Sequence, residues 1–447
     1  MIMSLSYIAN AVNGKLSESA NANRLVEGFY SDSRMPSENK LFLALRGERV
    51  DGNSFVPSLV ESGYAVLTDS EDNLSLKGDV IFVNDVRLAL QQLARNYREN
   101  ELAKLPIVGI TGSVGKTTTK DMVAHALSSC LNVHKTIGNS NSQIGLPQTV
   151  LATDPDSDCA VVELGMSMKG EMERIAFSAM PDISIITNIG YSHIENLGSR
   201  EAIRDEKLQI TAFSKDNSIL LLNGDEPLLK NIGYDNRIKY YVSTEDKNCD
   251  CYAENIISVG LGLQFTANVF GKRVEVEMNV SGKHYVLNAL FALATCHLLN
   301  VNLIDAAKRL ATYESDGKRQ HIYKKDGHII ISDCYNASPE SMKAALEVLS
   351  AYDGRRIAVL GDMLELGEKS VELHKLVGEY TNNCADILIA FGTCSTDIYN
   401  NSKLSEKYHF SLEERGELLS FLKEFVREGD IVLYKASNGI KLSEVIV

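Results

Sequence analysis

The residues with the plainest chemistry are Gly109–Thr119, GITGSVGKTTT. They follow an apolar run, Leu105–Ile110, and lead into a helical pattern. Gly112 and Gly115 carry no Cβ, so backbone N–H groups within Thr111–Thr118 can close on phosphate oxygens. The start of a helix adds its positive end. Lys116 supplies a point charge for the terminal phosphates, and the Thr117 hydroxyl, followed by Thr118, suits Mg²⁺. The usual G-x-x-x-x-G-K-[ST] pattern fails at one position, where Ile110 stands for the first Gly. The remaining shape, T-G-S-x-G-K-T-T, is intact, and nucleotide binding is expected. An ordinary Gly-rich turn between strand and helix leaves Lys116 and the three threonines after it unexplained.

Ligands of an open parallel sheet sit outside the carboxyl ends of its strands. Glu163 ends the apolar run Cys159–Leu164, and Asn188 and His193 follow Ile183–Ile189. All three should therefore approach the phosphate loop. Glu163 offers a hard oxygen for Mg²⁺, and His193 a nitrogen, although a histidine after a strand is by itself often structural. Lys207 is the most informative residue. Ile203, Lys207 and Ile210 are spaced i, i+4, i+7, which puts the lysine on an apolar stripe. Such a lysine either snorkels to solvent or is buried with a lowered pKa that lets it react.

The elements that must position these groups alternate strand and helix. Helices are expected over Arg87–Lys104, Lys120–Ser129, Glu201–Phe213 and Asn288–Leu299, and strands over the apolar runs between them. Residues 250–281 switch to an antiparallel pattern. Near residue 315 the strand–helix rhythm restarts. The fold expected is α/β in three domains: a small mixed α/β unit over 1–102, a central parallel-sheet unit of the phosphate-loop ATPase type over 103–314, and a Rossmann-like unit over 315–447. A length of 447 residues accords with about three domains.

Composition excludes several classes of function. Hydrophobic residues make up 44% and charged residues 23%, which excludes disorder as the main state. The net charge of −14 disfavours general affinity for nucleic acid or anionic membrane. No apolar run reaches the roughly 20 residues of a membrane span, and the first residues lack the pattern of a secretion signal. The eight cysteines contain no CxxC and are expected to be free thiols in a reducing cytoplasm.

Further stretches carry a resemblance. Asp32-Ser33-Arg34 precedes LFLALRGERVDGNSF, which contains Arg46. GNSNSQIGLPQTVL contains Asn141, and VVELGMSMKGEMERIA and ITNIGYSHIENLGS contain Glu163 and His193. DCYNASPESMKAAL and RRIAVLGDMLELGEKSVELH close the set. Together these resemble the Mur ligase superfamily, ATP-dependent amide-forming enzymes of peptidoglycan synthesis. The YNASPESM and LGDMLELG stretches point to its D-alanyl-D-alanine-adding branch.

The resemblance implies a bacterial, cytoplasmic, monomeric ligase. Its substrates would be ATP, UDP-MurNAc-tripeptide and D-alanyl-D-alanine, with Mg²⁺ as cofactor and an acyl phosphate as intermediate. It implies ATP and metal roles for Lys116 and Thr117, metal-site roles for Glu163 and His193, and carbamylation of Lys207, which lies 14 positions after His193. It implies an adenine contact for Asn288 and ATP contacts for Arg319 and Asp333. Tyr335, Asn336 and Ser341 would lie near nucleotide and dipeptide. Ser33, Arg34 and Arg46 would bind the uridine nucleotide, and Asn141 would also bind substrate. Tyr285, Ser332, Ser338 and Asn438 depart from the family pattern; the last removes an Arg and an anion contact with it. Two alternatives stay open. One is another ligase of the superfamily, although its D-N-P-R-like motif is not visible. The other is a phosphate-loop switch or motor, although no convincing DxxG or NKxD set is present.

Overall fold

The strand Ile107–Thr111 is buried at every position, and so are its neighbours Cys159–Glu163 and Ile183–Ile186. Strands apolar on both faces form parallel sheets covered on both sides. The computed structural model, which describes residues 2–47, 49–230, 232–233, 237–259, 262–315 and 319–447, has this arrangement. Seven strands run parallel in the order 251–259, 238–243, 219–223, 183–186, 107–111, 159–163 and 133–135. The antiparallel strands Gly262–Val269 and Lys272–Met278 extend the same sheet beyond Cys251–Val259. Register then places the chemistry. Glu163 lies opposite Ile110, and Ile186 opposite Thr111, so the segments after both flanking strands emerge beside the phosphate loop.

A five-stranded sheet precedes this one, parallel except for Lys15–Leu16 at its edge. A six-stranded sheet follows it, in the order 321–325, 328–333, 431–435, 356–361, 387–391 and 406–410. Its one antiparallel pairing joins the edge strand His321–Lys325 to His328–Asp333. The α/β class and the three-unit organisation expected from the sequence are those of the structure. Among the described residues, no helix is long and apolar enough to cross a membrane, and all eight cysteines are free.

Several expected elements differ in extent. The helix placed from Lys120 begins at Lys116, directly after Gly115, whose φ of +80° ends the loop. The helix placed from Asn288 begins at His284, so Asn288 lies one turn inside it. The helix after Ser199 is α-helical over Arg200–Leu208 and tightens to a 3₁₀ turn over Gln209–Thr211. In the helix Val86–Asn100, Leu90, Leu93 and Ala94 are buried, whereas Leu88 faces outward. The strands Val133–Lys135, Ile238–Ser243, His321–Lys325 and Glu406–Phe410 were not expected. All contain exposed or half-exposed positions and lack the unbroken apolar run of central strands.

The first unit is anchored to the central one through a buried cation. Helix Val86–Asn100 packs on helices Gly145–Ala152 and Glu171–Ala179. Its Arg98 is 2% exposed and donates to Asp182 Oδ2 at 2.7 Å and to the Leu102 carbonyl. The same Asp182 oxygen accepts from the Ile107 N–H at 2.9 Å. One carboxylate thus joins the N-terminal helix to the first residue of the phosphate-loop strand. Removing one partner of a buried pair leaves the other uncompensated. Arg98→Ala should therefore lower stability by about 3 kcal/mol, read as an earlier midpoint in urea unfolding. An unchanged midpoint would show that the anchor carries no stability.

Candidate functional site

The phosphate loop is shaped from behind by the segment that follows Ile183–Ile186. Thr187 Oγ1 donates to the Val114 carbonyl at 2.6 Å. Asn188 Oδ1 accepts from the N–H groups of Ser113 and Val114 at 3.1 and 2.9 Å. The Gly190 N–H donates to Ser113 Oγ at 2.8 Å. Thr187 stands so close to Gly112 that a Cβ there would lie 1.9 Å from its Oγ1, and φ at Gly112 is +154°. Only glycine fits that position.

Two lysines meet on this loop. Lys116 Nζ donates to the carbonyls of Gly112 and Ser113 at 2.8 and 3.2 Å. Lys207 Nζ donates to the same Gly112 carbonyl at 3.0 Å. Lys207 is 1% exposed, between Ile203 and Ile210, both fully buried, so the apolar stripe does face inward. Burial pushes the Lys116 pKa down to about 8. Burial first, and the neighbouring Lys116 second, hold Lys207 well below the ordinary lysine range, against the pull of Glu206. That glutamate is itself committed, accepting from the N–H groups of Gly170 and Met172 at 2.9 Å each, at the start of helix Glu171–Ala179. A buried amine that sheds its proton easily is available as a nucleophile.

Glu163 stands beside the loop. Its Oε2 accepts from Thr117 Oγ1 at 2.7 Å and its Oε1 from Asn141 Nδ2 at 2.8 Å. It is 1% exposed, forms no direct ion pair among the described residues, and feels the Lys116 charge only at longer range. A buried carboxylate without a direct ion-pair partner is the environment a divalent cation neutralises. With the Thr117 hydroxyl, the donors are hard oxygens, so the set fits Mg²⁺. His193 lies on the next loop at φ +64°, and its Nδ1 is 2.8 Å from Oε2 of Glu365, a residue of the C-terminal unit. The histidine holds the Glu365 carboxyl below its ordinary range.

These groups border a cavity of about 640 Å³ between the central and C-terminal units. Of the residues singled out from the sequence, Ser113, Gly115, Lys116, Thr118, Asn141, Glu163, His193, Asn288, Arg319, Asp333, Tyr335, Asn336 and Ser341 line it. Thr111, Gly112, Thr117 and Lys207 do not line it. Thr111 and Gly112 lead into the loop, while Thr117 and Lys207 bond to Glu163 and Gly112. Asn288 Oδ1 accepts from Thr119 Oγ1 at 3.0 Å. On the C-terminal wall the Arg319 guanidinium lies 4.5 Å from the centre of the Tyr335 ring, a flat polar–aromatic surface. Ser341 completes a capping box with Ser338 for helix Pro339–Ser350, so its hydroxyl is used within the protein. Tyr285 is buried on the cavity wall, Ser332 lies on strand His328–Asp333, and Asn438 is exposed.

Ser33, Arg34 and Arg46 are not brought to this cavity. They sit on the N-terminal unit, where Arg34 pairs with Asp32 at 2.7 Å and Arg46 with Asp69 at 2.9 Å. Sequence reasoning passed over other residues. Lys435 is 1% exposed, lines the cavity, and donates to Asp333 Oδ2 at 2.5 Å and to the Asn336 carbonyl at 3.0 Å. Its signal was available, since it ends the fully buried strand Ile431–Lys435 just as Glu163 ends its own. Glu340, also on the wall, accepts from the Tyr191 N–H at 2.9 Å. Burial pushes the His284 pKa to about 4, which keeps that ring neutral.

Comparison with known proteins gives consistent matches. Residues 26–98 match the model of the Mur ligase family catalytic domain, 110–296 the Mur ligase middle domain, and 318–438 the Mur ligase glutamate ligase domain. The UDP-N-acetylmuramoyl-tripeptide–D-alanyl-D-alanine ligase of Bacillus subtilis is 40% identical, over 98% of this chain and 96% of that one. The Escherichia coli enzyme of the same name is 31% identical, over 99% and 97%. Among solved structures, MurF from Acinetobacter baumannii superposes with a TM-score of 0.92 at 26% identity, over 100% of this chain and 98% of that one. MurF ligase from Thermotoga maritima in complex with ADP gives 0.84 at 28% identity, over 94% and 96%.

The lysine environment makes a prediction about pH. The folded-state pKa of Lys116, about 8, lies below its ordinary 10.5. Between those values the unfolded chain holds the extra proton, so stability rises with pH. Lys116→Met removes the buried ammonium, so it should be the more stable protein at pH 7. Its advantage in thermal midpoint should shrink as pH rises from 8 toward 10.5. A difference independent of pH would contradict the burial of the charge.

Proposed function

The chain belongs to the Mur ligase family, and from that premise we propose how its residues carry out the ligation. The protein is an ATP-dependent ligase that joins D-alanyl-D-alanine to UDP-MurNAc-tripeptide, giving UDP-MurNAc-pentapeptide, ADP and phosphate in peptidoglycan precursor synthesis. The observation that carries the placement of its chemistry is the convergence of Lys116 and Lys207 on the Gly112 carbonyl beside the buried Glu163.

In our reading, residues 1–102 hold the uridine nucleotide through Ser33, Arg34 and Arg46, residues 103–314 hold ATP, and residues 315–447 close over it. The loop N–H groups and Lys116 receive the phosphates, Lys116 leaving the two carbonyls it holds in the free protein. Asn288 meets the adenine, and Arg319 and Asp333 approach from the C-terminal wall. The tripeptide carboxylate attacks the γ-phosphorus in line, forming the acyl phosphate as ADP departs, and Lys116 offsets the charge that develops. The amine of D-alanyl-D-alanine then adds to the acyl carbon. The tetrahedral intermediate collapses with loss of phosphate and a proton, leaving the new amide. Acyl phosphates hydrolyse readily, so the C-terminal wall, with Tyr335, Asn336 and Ser341, serves to exclude water and seat the dipeptide.

Thr117, Glu163 and His193 would hold Mg²⁺, which offsets phosphoryl charge when bound. Lys207 joins them after its neutral amine adds to carbon dioxide, giving a carbamate and a proton and turning a cation into an anion. The enzyme works as a monomer in the bacterial cytoplasm.

Phosphate release from ATP should require UDP-MurNAc-tripeptide and D-alanyl-D-alanine together, with a product heavier by the dipeptide. Release supported by a free amino acid instead would move the protein to another ligase of the family. Lys207→Ala should abolish turnover, with partial rescue by short-chain carboxylic acids. Full activity in that variant would end the carbamate role.

A further inference from the structure

The LGDMLELG stretch, Leu360–Gly367, is among the most distinctive in the chain and takes no part in the ligation steps. In the structure it forms the turn that follows strand Arg356–Gly361, and it meets the loop carrying His193 across the boundary between two units. Glu365 Oε2 lies 2.8 Å from His193 Nδ1. Two residues further on, a Cβ at Gly367 would sit 3.1 Å from Glu195 Cβ, so that glycine permits close packing.

Both partners of the contact sit in strained backbone. Glu365 has φ +65° and His193 φ +64°, in the left-handed region that side chains with a Cβ rarely adopt. Such strain persists only where the surroundings hold it, and it concentrates at functional sites. The surroundings of Glu365 do hold it. The Met363 N–H donates to His374 Nε2 at 3.0 Å, and His374 Nδ1 lies 2.7 Å from the Ser370 carbonyl. The Leu364 N–H donates to Ser437 Oγ at 3.0 Å. The Asp362 carboxylate accepts from the N–H groups of Thr393 and Ser395 at 3.0 and 2.6 Å. Asp362, His374 and Cys394 are close enough together to resemble a metal site. The aspartate and histidine are instead spent on backbone groups, and what they hold is the turn.

A histidine that binds a cation through one ring nitrogen is oriented by what its other nitrogen meets. His193 lines the cavity, and its buried nitrogen is Nδ1, which meets Glu365 Oε2 at 2.8 Å as an ion contact outside hydrogen-bond alignment, one that a small turn of the ring would align. We propose that Glu365 is a positioning residue for His193: brought in on the Asp362–Gly367 turn, its carboxylate fixes the imidazole at Nδ1 and leaves Nε2 as the ligand atom. Cation affinity in one unit then depends on the docking of another. The proposal rests on the placement of His193 at the cation site given above.

The test measures Mn²⁺ binding to the full-length protein by the loss of the free-ion EPR signal, with no turnover involved. Glu365→Ala should weaken binding about tenfold, the size of effect typical of a group that orients a ligand. Glu365→Asn should do the same with an unchanged thermal midpoint, because Asn tolerates left-handed backbone yet is too short to reach the ring. Glu365→Gln, whose amide oxygen can accept from Nδ1–H once the ring aligns, should stay within about threefold of wild type. In a His193→Ala background, adding Glu365→Ala should change nothing further, since Glu365 acts only through His193. Wild-type affinity in Glu365→Ala and Glu365→Asn, or an additive loss in the double variant, would overturn the role of Glu365 while leaving His193 at the cation. Wild-type affinity in His193→Ala would remove His193 from the cation site and the proposal with it.

Discussion

Two amines held against one carbonyl oxygen set the terms for the rest of the molecule. Bringing Lys116 and Lys207 to Gly112 places like charges together, Lys207 fully buried and Lys116 half-buried on the cavity wall, and both ammonium groups are disfavoured there. The arrangement requires a loop that cannot relax, which is why Thr187, Asn188 and Gly190 hold it from behind. It requires a stripe on helix Arg200–Leu208 that delivers a lysine among isoleucines. It also requires Glu163 close by, with one oxygen bonded to Thr117 of the phosphate loop and the other to Asn141. Each of these supports is a backbone or short-side-chain contact of little reach, and rigidity comes from the buried parallel strands beneath.

The segment Thr187–Glu195 works as the junction of the molecule. Its first residues shape the phosphate loop, its glycine admits Glu340 from helix Pro339–Ser350, and its histidine meets Glu365. A Cβ on Gly190 would lie 2.5 Å from Glu340 Oε1, so the absence of a side chain there is what lets the C-terminal unit come down on the Tyr191 amide. Both distinctive stretches of the last unit, YNASPESM and LGDMLELG, thus reach one short loop. A single piece of backbone shapes the phosphate loop on one side and meets the neighbouring unit on the other.

What the sequence revealed followed period and position. Lys207 was legible because helical spacing exposes a charge out of place. Glu163, Asn188 and His193 were legible because they end apolar strands of a parallel sheet, where ligands gather. Lys435 obeys the same rule, at the end of strand Ile431–Lys435. Glu365 leaves no such trace: it lies in a polar turn, its backbone conformation is invisible in the letters, and its partner is 172 positions away in a different unit. The strands at sheet edges were missed for a related reason, because half-exposed strands lack the continuous apolar run that marks a buried one. Ser341, read toward substrate, lines the cavity and also closes the first turn of its own helix.

The Asp182 carboxylate has a geometric consequence beyond its contribution to stability. By holding Arg98 and the Ile107 amide at once, it ties helix Val86–Asn100 to the start of the phosphate-loop strand. Swinging helix Val86–Asn100 away from the central sheet would strip a buried guanidinium of its partner, so this boundary resists opening. The boundary on the other side of the central unit is built differently, because a cavity of about 640 Å³ lies between the walls of two units there. The enclosure of whatever fills that cavity therefore depends on how the C-terminal unit sits on the central one.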